Sequence, residues 1–196
     1  MLNKFLCFIF FLLSYNKVLA AQSSVLDIIS KNSNLSEFHH YILSSGLDNI
    51  LKKKLPWDWT VFAPNNEAFN KFKKENSLLE NKNFAKNLMM DHIMIGNFSS
   101  DNLNESTLIE KTVSNKSLSL SLYRKEEIYV KDMVVIEKDI NASNGIVHSI
   151  GCIMYVQESE TDSRLSKEIK EKYPITSCCM QDEKEITAWK ASLRAR

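Results

Sequence analysis

The stretch "WTVFAPNNEAF", residues 59–69, constrains this chain more than any other. Strand-favouring residues Thr60 to Ala63 run straight into Pro64, two asparagines and an acid. Pro64 has no N–H to donate, so a strand ladder ends there. Asn65 suits a helix N-cap, its side-chain oxygen accepting from a first-turn N–H. Glu67 falls in that first turn, where the helix dipole favours a carboxylate. Pro64 and Phe69 stand at the spacing of a hydrophobic staple. The pattern predicts a short buried strand turning at once into a helix over 65–74. Each residue has a structural job in that corner, so none needs a catalytic one.

The first half otherwise reads as helices. Val25, Leu26, Ile28 and Ile29 cluster; Asn34 can cap a helix on which Leu35, Phe38 and Ile42 share a face, with Gly46 at its end. A helix over 82–92 points Phe84, Leu88 and Met89 inward. The second half changes to period two. "SLSLSLYR" sets Leu118, Leu120 and Leu122 on one face and serines on the other, the mark of a half-buried antiparallel strand. "EIYVKDMVVIE" predicts two strands turning at Lys131-Asp132. Asn144-Gly145 predicts a turn into one long last strand, with Ile146, His148, Ile150, Cys152 and Met154 on one face. Its other face carries Val147, Ser149, Gly151, Ile153 and Tyr155. Helices followed by antiparallel strands make an α+β domain with one sheet.

The N-terminus is of another kind. Lys4, an apolar run from Phe5 to Leu13 and then Val18-Leu19-Ala20 describe a secretory signal peptide over residues 1–20, cut after Ala20 or Ala21. The run is too short for a membrane anchor, which takes about 20 apolar residues. No later run is long enough to span, so the mature chain is expected outside the reducing cytosol: secreted, or in the periplasm or on the cell surface of a bacterium. Residues 158–196 read as a polar tail with one or two amphipathic helices. At a formal charge of +1 with 25% charged residues, the chain has no basic stripe for nucleic acid. Cys152, Cys178 and Cys179 remain after cleavage. An odd count leaves one unpaired or linked to another chain, so a disulfide-linked dimer through Cys178 or Cys179 is one expectation; Cys152 reads as a buried thiol.

"TVFAPNNEAF" resembles the first signature of the fasciclin (FAS1) domain family, and "NGIVHSIGCIM" resembles the second. "DHIMIG", residues 91–96, resembles the segment between them. The resemblance covers residues 22–157. It implies a FAS1-like antiparallel β-sheet wedge with several N-terminal and intervening helices. It also implies an adhesion or extracellular interaction module binding a protein or glycan, among them a cell-surface receptor, with no enzymatic activity and no cofactor. The alternative is an exported small-ligand carrier or an accessory protein to an enzyme. Asn66 stands where the family usually has an aspartate that could pair with the strand histidine; Asp91 stands where it usually has a tyrosine. The resemblance carries an interaction role to Asp91, His92, Asp139 and Ile140, the last two matching the Asp-Ile segment that animal fasciclin adhesion proteins use toward integrins.

Each of these has a plainer reading. Asp139 can cap a turn while Ile140 packs. His148 can be a ligand or base, or a buried imidazole tying the last strand to the first corner. Pro64, Asn65, Asn66, Phe69, Asn144, Gly145 and His148 are read as structural. Of Trp57 and Trp59, one ring is expected to cover the core edge. His39 and His40 diverge on a helix, and no His-x3-His or Cys-x2-Cys spacing exists, so no metal is expected. Asn34, Asn97, Asn104, Asn115 and Asn141 each open Asn-x-Ser and are glycosylation acceptors in a eukaryotic secretory pathway.

Overall fold

A computed structural model describes residues 23–75, 78–124, 126–130, 133–158, 166–172 and 175–179. The leader, the Lys131-Asp132 turn and the end of the tail lie outside the described residues. Helices α1 (Val25–Lys31), α2 (Ser36–Ser44) and α3 (Asp48–Leu51) come first. Strand β1 (Trp59–Pro64) passes directly into α4 (Asn66–Glu75), followed by α5 (Lys82–Asp91). Then come β2 (Ile93–Ile95), β3 (Leu108–Lys111), β4 (Ser117–Tyr123), β5 (Glu127–Val130), β6 (Met133–Ala142) and β7 (Gly145–Ile150). Strands β8 (Met154–Glu158) and β9 (Ile175–Cys179) form a separate pair around α6 (Lys167–Lys172).

The seven-stranded sheet runs β2-β1-β7-β6-β5-β4-β3, and a bridge between Met94 and Thr112 brings its two edges together into a near-barrel. The α+β architecture agrees with the sequence reading. One pair departs from antiparallel order: β1 lies parallel to β7, with Phe62 opposite His148. Parallel strands need a long crossover, and here most of the domain supplies it. Both faces of β1 are buried. Val61 and Ala63 face the helices α1–α5, and Phe62 faces the barrel interior with Leu118, Leu120, Ile128, Val130 and Ile150. That explains its unbroken apolar run. In β4 the three leucines point inward, and Ser119 and Ser121 outward.

The corner closes as its residues dictate. The Ala68 N–H donates to Asn65 Oδ1 at 2.9 Å, Pro64 and Phe69 are buried, and Glu67 pairs with Lys71 one turn on. Asn34 does not cap α2. Asn32 accepts from the Asn34 N–H instead, and α2 starts without a local cap. Asn66 replaces it from the other side of the corner: its Oδ1 accepts from the Glu37 N–H at 3.0 Å and its Nδ2 donates to Ser33 O at 2.8 Å. An asparagine can do both, whereas an aspartate could only accept.

The long last strand is two strands. Strand β7 stops at Ile150, whose carbonyl takes the Asn65 N–H, and β8 begins at Met154 in the second sheet. Ile136 overhangs Gly151, where a Cβ would come within 2.9 Å of its side chain. Ile153 turns to the helical core while Cys152 and Met154 turn to the barrel core. Cys152 is buried and disulfide-bonded, not the free thiol expected. The side chains of Cys178 and Cys179 lie outside the described residues. Trp59 is the ring that enters the core, and Trp57 stays exposed against its edge.

The Asn144-Gly145 turn is a buried joint. Asn144 Oδ1 accepts from the Val25 N–H at 2.8 Å, and its Nδ2 donates to Leu51 O at 2.8 Å and Lys53 O at 3.0 Å. Gly145 has φ +156°, and a Cβ there would lie 2.1 Å from the Trp59 carbonyl oxygen, so only glycine fits. Asn144→Ala should lower stability by about 3 kcal/mol, because it orphans one donor and two acceptors that water reaches poorly. The exposed Asn141→Ala should change it by less than about 0.5 kcal/mol. Urea unfolding of the two variants checks this.

Candidate functional site

Strand β6 carries the segment singled out by the sequence. Its register against β7 slips between Val135 and Glu137 and again between Glu137 and Ile140, so β6 gains residues that β7 does not match. Such bulges bend the strand and re-aim its side chains. Asp139 sits in the second bulge in a left-handed conformation, φ 59°, which an Asp tolerates better than most side chains. Its carboxylate accepts from the Ser100 N–H at 2.9 Å and from the Ser100 hydroxyl. Ile140 is half-buried against the helical core.

His148 stands behind the bulge. The Asp139 N–H donates to its Nδ1 at 3.1 Å, and its Nε2 faces Phe98 O at 3.1 Å, which fixes the proton on Nε2. The ring stacks on Phe62 at 5.2 Å between centroids. Strand β7 is thereby tied to β1 by stacking, and to the bulge and the 96–103 loop by hydrogen bonds. Position 66 takes no part, because the Asn66 side chain is spent on α2. Burial holds His148 below the ordinary histidine range, although Phe98 O and the Asp139 charge favour its proton.

Asp91 and His92 are both wholly buried. The role in partner contact expected for them does not fit that burial: no surface reaches either side chain. The Met154 N–H donates to His92 Nε2 at 2.9 Å, and His92 Nδ1 donates to Leu88 O at 2.8 Å. His92 thus carries its proton on the opposite nitrogen from His148. It seals the end of α5 to the start of β8, with Phe38 at 6.0 Å from its ring. Asp91 pairs with Lys116 at 2.6 Å and accepts from the Ser114 hydroxyl, tying α5 to the β3–β4 turn. A buried carboxylate of this kind needs such a cation. Sequence reasoning passed over Lys116, Ser114 and Ser100. Only the Asn-x-Ser reading touched this part of the chain, through Asn97 and Asn115.

Among the described residues no group of three or more His, Cys, Asp or Glu could hold a metal ion, and no helix is long and apolar enough to cross a membrane. All five sequon asparagines are exposed. Asn115 occupies a left-handed turn position at φ 64°, and the Asn97 side chain accepts from the Ser99 N–H and from Asn102 Nδ2.

The two histidines set a pH dependence. Burial pushes His92 down to about 4, with the nearby Lys116 charge acting the same way against the Leu88 carbonyl. Its unfolded value is about 6.5. The folded state therefore keeps it neutral while the unfolded state gains a proton. Stability is complete above about pH 6.5 and falls as pH drops toward 4, by about 3 kcal/mol from His92 alone. His148 adds loss in the same direction. Urea midpoints measured from pH 7.5 to 4 should decline across that window, and His92→Gln should flatten the decline while lowering stability at pH 7.5.

Comparison with known proteins agrees with this arrangement. The Fasciclin domain family model matches residues 33–156. Human periostin is 26% identical over 138 residues, which is 69% of this chain and 16% of periostin. The transforming growth factor-beta-induced protein ig-h3 of Sus scrofa is 31% identical over 137 residues, 67% of this chain and 19% of that protein. Stabilin-2 of Rattus norvegicus is 23% identical over 71% of this chain and 10% of its own length. The chain thus spans less than a fifth of each of these relatives. A solved FAS1 domain pair from the insect cell adhesion molecule Fasciclin I superimposes with a TM-score of 0.51 at 26% identity, covering 61% of this chain and 44% of that one. The chain belongs to the Fasciclin domain family.

Proposed function

We propose that this chain is an exported, non-enzymatic adhesion module that binds an extracellular protein or glycan, including a cell-surface receptor. The observation that carries the reading is the unequal cover of the barrel wall. Helices α1–α5 pack over β1 and β7 and α1 reaches β6, whereas the outward face of β3, β4, β5 and the first half of β6 carries exposed side chains. That face shows Ile109, Tyr123, Val134 and Ile136 at 45–60% exposure. Tyr129 lies opposite Val134 across the ladder and 6.3 Å from the Tyr123 ring, so Tyr123, Tyr129 and Val134 adjoin. Adjoining exposed apolar side chains of this kind suit contact with another molecule. The Asp139-Ile140 bulge lies further along β6.

A carrier would need an enclosed apolar cavity. The barrel interior is filled instead by Phe62, Met94, Leu120, Val130 and Ile150, all fully buried. Three clefts among the described residues, about 280, 360 and 440 Å³, open on the surface rather than enclosing a cavity, with Glu67, Glu105 and Lys73 among their lining residues. A covalent dimer through Cys178 or Cys179 is not part of this reading. The exposure of Asn34, Asn97, Asn104, Asn115 and Asn141 supports glycosylation in a eukaryotic host. Treating the secreted protein with a peptide-N-glycosidase should then increase its gel mobility; an unchanged band refutes it.

Attachment of cells to the immobilised full chain tests the adhesive reading. Asp139→Ala, and Val134→Ser combined with Ile136→Ser, should each weaken attachment by roughly fivefold or more, the loss expected from a contact worth about 1 kcal/mol or above. If both variants fold by circular dichroism and attach like the parent chain, the reading fails.

A further inference from the structure

The Asp139 carboxylate has an unusual set of partners for a half-buried charge. Among the described residues no lysine or arginine forms an ion pair with it. The neighbouring Lys138 turns its ammonium to Glu126 O. Among the described residues Ser100 engages the carboxylate, one oxygen through its N–H and the other through its hydroxyl. The loop bearing Ser100 is itself braced. The Phe98 N–H donates to Thr60 Oγ1 at 3.0 Å, Thr60 Oγ1 donates to Gly96 O at 2.7 Å, and Asn102 Nδ2 donates to Asn97 O at 3.1 Å. His148 holds both ends of the contact, through Phe98 O and the Asp139 N–H.

From this geometry we propose that Ser100 is a latch. It holds the Asp139 carboxylate against the 96–103 loop, and a cationic centre on a cell-surface partner reaches that carboxylate by displacing the serine. The inference rests on the adhesive reading above and adds the regulation of that site. A carboxylate with only neutral donors gains most from a partner that brings positive charge, because charge-assisted contacts are roughly twice as strong as neutral ones. The movement is a rotation of the Asp139 side chain, since His148 holds the backbone of the bulge in place. Asp139 is held in its left-handed conformation by contacts from two sides, so removing one side frees the side chain to turn outward.

Carbodiimide labelling of the carboxylates in the full chain, read by peptide mass spectrometry, measures the latch without any partner. Asp139 should label slowly in the parent chain and roughly tenfold faster in Ser100→Ala, the ratio expected for one lost hydrogen bond to a charged group. The exposed Glu126 serves as an internal standard. Cell attachment should rise in Ser100→Ala and fall in Asp139→Ala. Ser100→Thr, which keeps the hydroxyl, should label like the parent chain. Equal labelling of Asp139 in the parent chain and Ser100→Ala overturns the latch. Faster labelling with unchanged attachment, while Asp139→Ala still abolishes attachment, also overturns it but leaves the adhesive site standing. Attachment indifferent to Asp139→Ala removes the site and the latch together.

Discussion

The parallel pairing of β1 with β7 is the contact on which the rest of the domain depends. It joins a strand near residue 60 to one near residue 148, and nearly everything between them hangs on that seam. On one side it presents Val61, Ala63 and Val147 to the helices, and on the other Phe62 and Ile150 to the barrel. The seam is close enough that Gly145 meets the Trp59 backbone directly. Asn144, at its start, fastens the first turn of α1 and the end of α3 to the same point. A loop this long carries a closing entropy that grows slowly with length, so two buried cores suffice to hold it shut.

Two buried histidines extend the seam in opposite directions. His92 joins α5 to β8, and His148 joins β7 to the bulge and the 96–103 loop. Each is neutral and each uses both ring nitrogens, one as donor and one as acceptor. A serine or a leucine could not replace either, since a buried main-chain donor and acceptor would then be stranded. The same chemistry that keeps the imidazoles inside makes the domain weaker in acid. It also positions Asp139: the hydrogen bond from its N–H to His148 fixes the backbone of the bulge, and Ser100 fixes its side chain.

Much of the fold was legible in the sequence because its signals were local. The Pro64-Asn65 corner, the alternation of Leu118, Leu120 and Leu122, and the glycine after Asn144 each act within a few residues. The misjudged elements lacked that property. Strand β3 holds four residues and β2 three, too few for a period to show. The break at 151–153 ends the ladder without disturbing the alternation of faces, so no period reveals it. Asn34 looked like the cap of α2 by spacing, but the cap came from Asn66, thirty positions away in the ladder of contacts. The Asp91-His92 segment was expected at the surface by resemblance, and nothing nearby in the chain reveals that Lys116 and Met154 enclose it.

The sequence by itself determined the strand and helix of the first signature, the turn that opens the second, and the family to which the chain belongs. Periodicity, capping and turn chemistry are decided by neighbours along the chain. Only the tertiary structure decided that β1 and β7 run parallel, that His92 and Asp91 are sealed inside, and that Ser100 occupies the carboxylate of Asp139. Those outcomes depend on partners 39 residues apart for Ser100 and Asp139, 62 for Met154 and His92, and 119 for Val25 and Asn144. No local pattern encodes such pairings, because they exist only once two cores have brought distant backbone groups together and shut water out.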